Sequence, residues 1–402
     1  MKFIRRSLLS YSRWMVCVHR GRLARCSSSN ADGTEGAGAA AGGWPRRVVS
    51  GLQPTGALHV GNYFGALRRC VREQDAGHDL TLFVADLHAL TTHHKGQSLQ
   101  ENTLELTALA LAAGVDPARS LLFVQSAVPR HAELCWLLAC LCSQARVQHL
   151  PQYREKAALV PRGGGAGDGG EVPLGLLLYP VLQAADVLLY RATHVPVGAD
   201  QQHHLQLAAQ LARTFHHRYG PAFPVPRAML PDDGSDRVRS LRDPSRKMSK
   251  SDRDRRATIL LTDSDDAIRE KIRKAVTDCT PHVSFEPELR PGVSNLVALH
   301  CLAEDKLPEE AVEESDGLTT AQYKRVVAEA LCGALRPLRA RAAELRARPR
   351  LLRDVLRAGA ARARLRADHT YAHVAQLAGL AQRPPRPALA SAADAVSSPI
   401  SE

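Results

Sequence analysis

The chain has 402 residues and a mass of 43.7 kDa, which predicts two or three domains, and its 45% hydrophobic content excludes a chain that is disordered throughout. A formal net charge of +12 favours an anionic partner such as nucleic acid, nucleotide phosphates or an acidic membrane, without choosing among them. Nine cysteines without a C-x-x-C pair argue against a disulfide scaffold and against structural zinc, and no run of 18 clean apolar residues predicts a membrane span.

The N-terminal 30 residues contain seven Lys or Arg and no acidic residue, with serines and apolar residues interleaved. This composition is typical of a mitochondrial transit peptide, and Arg13 and Arg20 interrupt the apolar run that a secretory signal needs. A disordered basic tail is the alternative. A Gly/Ala-rich stretch follows, so we expect residues 1–44 to form a transit peptide and a flexible linker.

Short apolar strands then alternate with helical patterns, which predicts βαβ units and a parallel sheet whose ligands bind at the carboxyl ends of its strands. The predicted strands are 48–50, 80–85 and 120–125, and the predicted helices are 61–74, 98–113 and 131–142. A G-x-G-x-x-G run at 165–170 neither follows a strand nor opens a helix. We therefore interpret the Gly-rich loop 163–170 as an embellishment and not as a dinucleotide site.

From about residue 264 helical segments follow one another without clear strands, which predicts an α-helical domain. The predicted helices are 264–275, 293–303, 319–347 and 350–380. The last 20 residues are rich in Pro, Ala and Ser without periodicity, so we expect a disordered tail over 383–402. The expected domains are therefore an α/β domain over 45–257 and a helical domain over 258–382.

The first motif with a chemical reading runs from Gly51 to Tyr63 and combines a strand end, a tight turn and a helix start. Free backbone N–H groups and the helix dipole at such a start favour phosphate. Gly61 would let a ligand approach the backbone closely, and His59 and Asn62 can direct donors at one phosphate. A helix cap built from the His and Asn side chains is the alternative.

The second motif is Lys247–Ser251, which places two lysines and two hydroxyls within five residues. Such a group can surround a polyphosphate, because lysine is a point-charge donor that suits the developing charge on a leaving pyrophosphate. The alternative is a solvated basic loop.

The third motif centres on Asp186, a carboxylate inside an apolar helix. A carboxylate in such a place needs a partner or is heavily destabilised by desolvation. A ligand N–H donor in an apolar pocket would supply that partner. A structural ion pair and a helix N-cap are the alternatives, and the apolar neighbours on both sides argue against the cap.

Taken together, the motifs resemble the class I aminoacyl-tRNA synthetases: His59–Asn62 resembles their HIGH signature and Lys247–Ser251 matches their KMSKS signature, in the same order. The block Tyr179–Tyr190, followed by Val195–Gln201, closely resembles the tryptophanyl-tRNA synthetases, and within them the mitochondrial enzymes. The resemblance spans roughly residues 47–380. It implies a Rossmann-like parallel-sheet catalytic domain followed by an α-helical anticodon-binding domain.

The resemblance also implies roles for matching residues. Asp186 would accept the indole N–H of tryptophan, Tyr179 and Gln201 would hold its ammonium and carboxylate, and His88 and Gln183 would line the pocket. The implied catalytic residues are His59, Asn62, Lys247 and Lys250. The implied ATP-binding residues are Gln53, Pro54, Thr55, His59, Val60, Gly61, Asn62, Gly198, Ala199, Asp200, Val238, Lys247, Met248, Ser249, Lys250 and Ser251.

Three positions depart from the usual pattern of the family. Gln183 stands where bacterial members have methionine, Ala199 replaces a glutamate, and Arg154 replaces a lysine. Arginine keeps the charge of lysine but not its geometry.

The implied reaction joins tryptophan to ATP, giving tryptophanyl-adenylate and pyrophosphate, and then passes the amino acid to the 3′-terminal ribose of tRNA(Trp). Mg²⁺ would accompany the ATP phosphates, with no zinc and no other protein-ligated metal. The resemblance further implies a homodimer in the mitochondrial matrix that binds no membrane. The arginine-rich stretch 336–366 is expected to face tRNA phosphates.

Three alternatives remain open. A tyrosyl-tRNA synthetase-like enzyme would share the fold and class, and the Ala184-Ala185-Asp186 block argues against it. A nucleotidyltransferase with an HxGH-type ATP site would lack the KMSKS loop and the helical domain. The third alternative is a non-catalytic tRNA-binding relative. Ala199 favours it, whereas the intact residues Lys247, Lys250, Gln53 and Asp186 argue against it.

Overall fold

A five-stranded parallel sheet lies at the centre of the structure, a computed structural model that describes residues 43–91, 96–158, 172–198, 201–231, 238–249 and 252–380. The strands, in the spatial order β3-β2-β1-β4-β5, are β1 Arg47–Leu52, β2 Asp79–Val84, β3 Leu121–Val124, β4 His194–Pro196 and β5 Arg227–Met229. The three predicted strands and the Rossmann-like parallel sheet are confirmed. Strands β4 and β5 were not predicted, because three residues are too few to show a pattern.

The central strands are apolar on both faces, as a parallel sheet between helices requires. β1 pairs with β2 in a register that places Val48 beside Leu80 and Leu52 beside Val84. Nearly all side chains of β2 are buried. This burial on both faces explains why these strands read as continuous apolar runs.

Helices connect the strands and cover the sheet. The first helical run has three pieces, which are α1 Val60–Asn62, a π-helical turn Tyr63–Leu67 and α2 Arg68–Asp75. The others in this half are α3 Asp86–Ala89, α4 Gly96–Ala112, α5 Arg130–Ala139, α6 Gln144–Gln148, α7 Pro151–Ala158, α8 Leu174–Leu189 and α9 Gln202–Tyr219, and single 3₁₀ turns lie at Gln125–Ala127 and Arg255–Ala257.

The second half is helical as predicted, and its helix starts carry ordinary cap residues. The helices are α10 Asp265–Arg273, α11 Pro291–Glu304, α12 Pro308–Glu313, α13 Thr320–Arg346 and α14 Pro349–Leu377. The side chains of Ser264 and Thr319 accept hydrogen bonds from the first turns of α10 and α13, and proline stands in the first turn of α11, α12 and α14.

The last helix, α14, packs directly on β3, which is an edge strand of the sheet. A Cβ atom at Gly359 would lie 1.8 Å from the carbonyl oxygen of Leu122, so only glycine permits the observed approach of helix and strand. The proposed domain boundaries stay a prediction. The transit-peptide region through residue 42, loop 163–170 and the tail 383–402 lie outside the described residues.

Most arginines of the stretch 336–366 form ion pairs or hydrogen bonds within the protein, and contact of this stretch with tRNA phosphates stays a prediction. Their partners are Asp265 for Arg336 and Arg339, Glu344 for Arg341, Glu105 for Arg346, Asp354 for Arg357, backbone carbonyls for Arg362 and Arg364, and Asp79 for Arg366. A charge count cannot reveal these partners, because several are more than 200 residues away in sequence. Arg348, Arg350 and Arg353, around the start of α14, are exposed.

Candidate active site

The candidate site lies where a parallel sheet places its ligands, at the carboxyl ends of the central strands. Gln53 follows β1, the short helix with His88 follows β2, and Gln125 follows β3 directly. Helix α8 brings Asp186 to the same place, as its contacts with the second and third of these residues show.

Asp186 is 2% exposed and three side chains surround its carboxylate. His88 Nε2 lies 2.7 Å from Oδ2, while Gln125 Nε2 and His131 Nδ1 each lie 2.7 Å from Oδ1. Burial by itself would raise the pKa of Asp186, but the hydrogen bonds from His131 and His88 outweigh it and lower the pKa to about 2. The carboxylate is therefore ionised at neutral pH and acts only as an acceptor.

The hydrogen-bond network extends beyond His131 to a tyrosine. The hydroxyl of Tyr190 lies 2.9 Å from His131 Nε2. Burial and the charge of Asp186 raise the pKa of Tyr190 far above its ordinary value, so its hydroxyl keeps its proton. Because His131 Nδ1 faces an anion, it carries the N–H and donates to Asp186.

Gln125, His131 and Tyr190 were not among the predicted site residues. Gln125 had a usable signal, since it follows an apolar strand at the end where ligands of parallel sheets bind. His131 and Tyr190 sit on predicted helical or apolar segments without any local pattern that marks them. The sequence predicts a ligand N–H as the partner of Asp186. Among the described residues, three protein side chains already bond its carboxylate, as expected if the carboxylate has structural partners within the protein.

A polar chain continues from the pocket towards α9. Tyr179 Oη lies 3.1 Å from His204 Nε2, and His204 Nδ1 lies 2.8 Å from Gln201 Oε1. The ring of Tyr179 also meets the ring of His88 edge-on, with centroids 6.5 Å apart. The structure thus brings the predicted residues Tyr179, Gln201, His88 and Asp186 together and adds His204 between two of them.

Lys156 is a further residue at this site that the sequence analysis missed. Its Nζ lies 4.0 Å from the centroid of the Tyr179 ring, and burial lowers the pKa of the lysine. Arg154, which replaces a lysine of the family pattern, instead turns to His149, with Nη2 and Nδ1 2.9 Å apart. Gln183 is half-buried on α8, and Ala199 and Asp200 lie outside the described residues.

On the nucleotide side, the structure confirms that His59 and Asn62 form a helix cap. His59 Nδ1 accepts from the Gly61 N–H at 3.1 Å, and Asn62 Oδ1 accepts from the His59 N–H at 3.2 Å. A Cβ atom at Gly61 would lie 2.9 Å from the His59 ring. The neighbouring imidazole thus lies close to this glycine, and the approach of a ligand to its backbone stays a prediction.

Backbone bonds join the two nucleotide motifs. The Val60 N–H donates to the Ile259 carbonyl at 3.0 Å, and the Thr258 hydroxyl donates to the Ser249 carbonyl at 2.7 Å. The Met248 N–H donates to the Val238 carbonyl at 3.1 Å. The two motifs, about 190 residues apart in sequence, are therefore held in register by the strand-like segment that follows the second.

The side chains of this region divide into buried anchors and exposed polar groups. Met248, Val238, Val60 and Pro54 are buried, so only their backbone remains for a nucleotide, whereas Lys247 and Gln53 are exposed. Thr55, Ser249 and Gly198 are half-buried. Lys250 and Ser251 lie outside the described residues.

The described residues carry no metal site of their own and no membrane-spanning helix. Between residues 43 and 380, gaps aside, no group of three or more His, Cys, Asp or Glu could hold a metal ion. Over the same described ranges, no helix is both long and apolar enough to span a bilayer.

Comparisons with known proteins agree with this geometry. Residues 43–335 match the family of class I tRNA synthetases for tryptophan and tyrosine. A tryptophan–tRNA ligase of Streptomyces avermitilis is 42% identical over 79% of this chain and 94% of its own length, and one from Nostoc is 40% identical over 82% and 96%.

Solved structures give the same assignment. A tryptophanyl-tRNA synthetase from Mycoplasma pneumoniae matches with a TM-score of 0.74 and 28% identity, over 84% of this chain and 98% of that one. The Campylobacter jejuni tryptophanyl-tRNA synthetase, solved with ADP and tryptophan, matches with a TM-score of 0.66 and 30% identity, over 83% and 100%. The chain belongs to the tryptophanyl-tRNA synthetases, a family of class I aminoacyl-tRNA synthetases.

Proposed function

We propose that this chain is a mitochondrial tryptophan–tRNA ligase. It activates L-tryptophan with ATP to tryptophanyl-adenylate and pyrophosphate, and then transfers tryptophan to the 3′-terminal ribose of tRNA(Trp). The observation that carries the proposal is the ionised, buried Asp186 at the carboxyl edge of the sheet, in a chain whose HIGH-like cap is joined by hydrogen bonds to the KMSKS segment.

In the first step the tryptophan carboxylate attacks the α-phosphate of ATP in line, and pyrophosphate leaves. The protein forms no covalent intermediate, so its part is positioning and charge stabilisation. Asp186 accepts the indole N–H, and Tyr179 and Gln201 hold the amino acid. His59, Asn62, Lys247 and Lys250 act on the phosphates. Mg²⁺ arrives with ATP and neutralises phosphate charge.

In the second step a ribose hydroxyl of the tRNA attacks the adenylate carbonyl, and AMP leaves. The helices that follow residue 264 would bind the anticodon, whose single-stranded bases are accessible. Arg348, Arg350 and Arg353 are exposed and have no side-chain ion pair or hydrogen bond among the described residues, and they supply salt-sensitive affinity for phosphates.

We also propose that the chain works as a homodimer in the mitochondrial matrix. Support for an interface comes from large apolar side chains on exposed helix surfaces, with Trp136 71% exposed on α5 and Leu174 73% exposed on α8. Support for import comes from the acid-free basic composition of residues 1–30. Deleting those residues should abolish import into isolated mitochondria, and unchanged import would refute the targeting proposal.

The activity is tested by ATP–pyrophosphate exchange driven by single amino acids. We expect exchange with tryptophan and none with tyrosine. Exchange with tyrosine alone would support the tyrosyl alternative and overturn the proposal. Binding of tRNA without any exchange would support the non-catalytic alternative.

A further inference from the structure

The carboxylate of Asp186 is left with one acceptor position by its protein partners. An ionised carboxylate offers about four lone-pair positions. Gln125 and His131 both approach Oδ1, whereas His88 alone approaches Oδ2. The remaining position is therefore on Oδ2, the oxygen beside His88, whose ring faces Tyr179.

The amide of Gln125 also has an acceptor atom without a donor. Gln125 is fully buried, and its Oε1 has no hydrogen-bond partner among the described residues. Its Nε2 faces an anion, which fixes the orientation of the amide because the oxygen would be repelled there. An unpaired buried acceptor is costly, and with the open position on Asp186 Oδ2 this cluster has more acceptors than donors among the described residues.

Tyr190 holds the far side of the His131 ring. Its hydroxyl lies 2.9 Å from His131 Nε2, while His131 Nδ1 lies 2.7 Å from Asp186 Oδ1, so the imidazole is held between the tyrosine and the carboxylate. Without the hydroxyl, the ring loses the partner that keeps Nδ1 aimed at Oδ1.

We propose that Gln125, His131 and Tyr190 are positioning residues that occupy Oδ1 of Asp186 and so direct its Oδ2 at the indole N–H of tryptophan. The inference rests on the proposed function and deepens it, because it assigns the discrimination between N–H donors and isosteric non-donors to residues that do not touch the substrate. A purely structural role would lower the activation of both kinds of substrate equally.

The test compares tryptophan with β-(3-benzothienyl)alanine, in which sulfur replaces the indole N–H. Amino-acid-dependent ATP–pyrophosphate exchange gives kcat/KM for each substrate. The variants are Gln125→Met, which keeps the volume but removes the amide, and Tyr190→Phe, which keeps the ring. We expect each to lower kcat/KM for tryptophan about tenfold to a hundredfold, as for a hydrogen bond to a charged group, with little change for the analogue.

The chain offers matched controls for both variants. Gln74 is a buried glutamine that bonds Ser120 and Gly114 near the opposite end of β3, and Tyr323 is a buried tyrosine 3.2 Å from His300 in the helical half. Gln74→Met and Tyr323→Phe should leave the ratio of the two substrates unchanged. His131→Asn, which retains a donor in place of Nδ1, should keep more of the ratio than His131→Leu.

The outcomes separate the inference from the function. Equal losses for tryptophan and the analogue, or a ratio that the Gln74 and Tyr323 controls change as much, overturns the positioning role. Failure of the wild-type protein to exchange with tryptophan overturns the proposed function instead. Tyr190→Phe keeps the packed ring, and its thermal unfolding shows whether the variant is folded.

Discussion

Around Asp186, buried side chains bond one another, whereas around His59 and Lys247 it is mainly backbone groups and a helix cap that hold the chain. The first arrangement holds one carboxylate, buried from solvent, within reach of three donors. The second leaves cationic side chains exposed while the backbone fixes the loops that carry them. A rigid, buried carboxylate suits the selection of one amino acid. Exposed cationic side chains on fixed loops suit a polyphosphate that must enter and leave.

The largest effect should follow from replacing Asp186, the residue that the buried side chains surround. Asp186→Ala deletes the acceptor for the indole N–H and leaves three buried donors without their partner. We expect tryptophan activation to fall by about 10⁴-fold, as in sites that lose a specific buried hydrogen bond. The measurement is tryptophan-dependent pyrophosphate exchange, and a rate near that of the wild type would remove Asp186 from its role.

A substitution on the nucleotide side, around His59 and Lys247, should lower the rate without changing the selectivity for tryptophan. Lys247→Ala removes one charge from the developing pyrophosphate, and we expect kcat to fall about 10²- to 10³-fold. The preference for tryptophan over the benzothienyl analogue should not change. Arg273→Ala, at an exposed ion pair on α10, is the control and should leave kcat unaltered. A changed substrate preference in the Lys247 variant would break the division between the two sides.

The buried side should also be visible in the pH dependence of stability. The pKa of Asp186 is lowered from 3.8 to about 2, so its stabilisation is fully present above the unfolded value and is lost as the pH falls through the folded value. That contribution is about 2 kcal/mol. We expect the difference in unfolding free energy between the wild type and Asp186→Asn to shrink between pH 3.8 and about 2. A difference already lost near neutral pH would contradict the low pKa.

The smallest effect concerns the cap on the nucleotide side. Asn62→Ala removes the acceptor for the His59 N–H and should destabilise the protein by about 1 kcal/mol. Because the same cap holds His59, tryptophan activation should fall as well. Thr319→Ala, at the cap of α13, should lose similar stability without loss of activation. If both variants changed tryptophan activation equally, the His59 cap would have no specific part in the phosphate chemistry.

The sequence predicted the sheet and its ligand edge well, because apolar strands and glycine-containing turns leave local patterns. Asp186 was recognised for the same reason, as a charge in an apolar helix. Gln125, His131 and Tyr190 were not recognised, because no local sequence pattern marks them. They become site residues only when the fold brings the ends of β3 and α8 and the start of α5 together around Asp186. The same applies to Arg346 and Arg366, whose partners Glu105 and Asp79 lie in distant segments.

The contact of Gly359 with Leu122 has a consequence for the order of synthesis. β3 is an edge strand, and an uncovered edge can pair with another chain. The helix that covers it, Pro349–Leu377, is the last one described and leaves the ribosome after every strand of the sheet. During synthesis the sheet is therefore complete while one edge is still open, and a nascent chain stalled before residue 349 presents that edge to its neighbours.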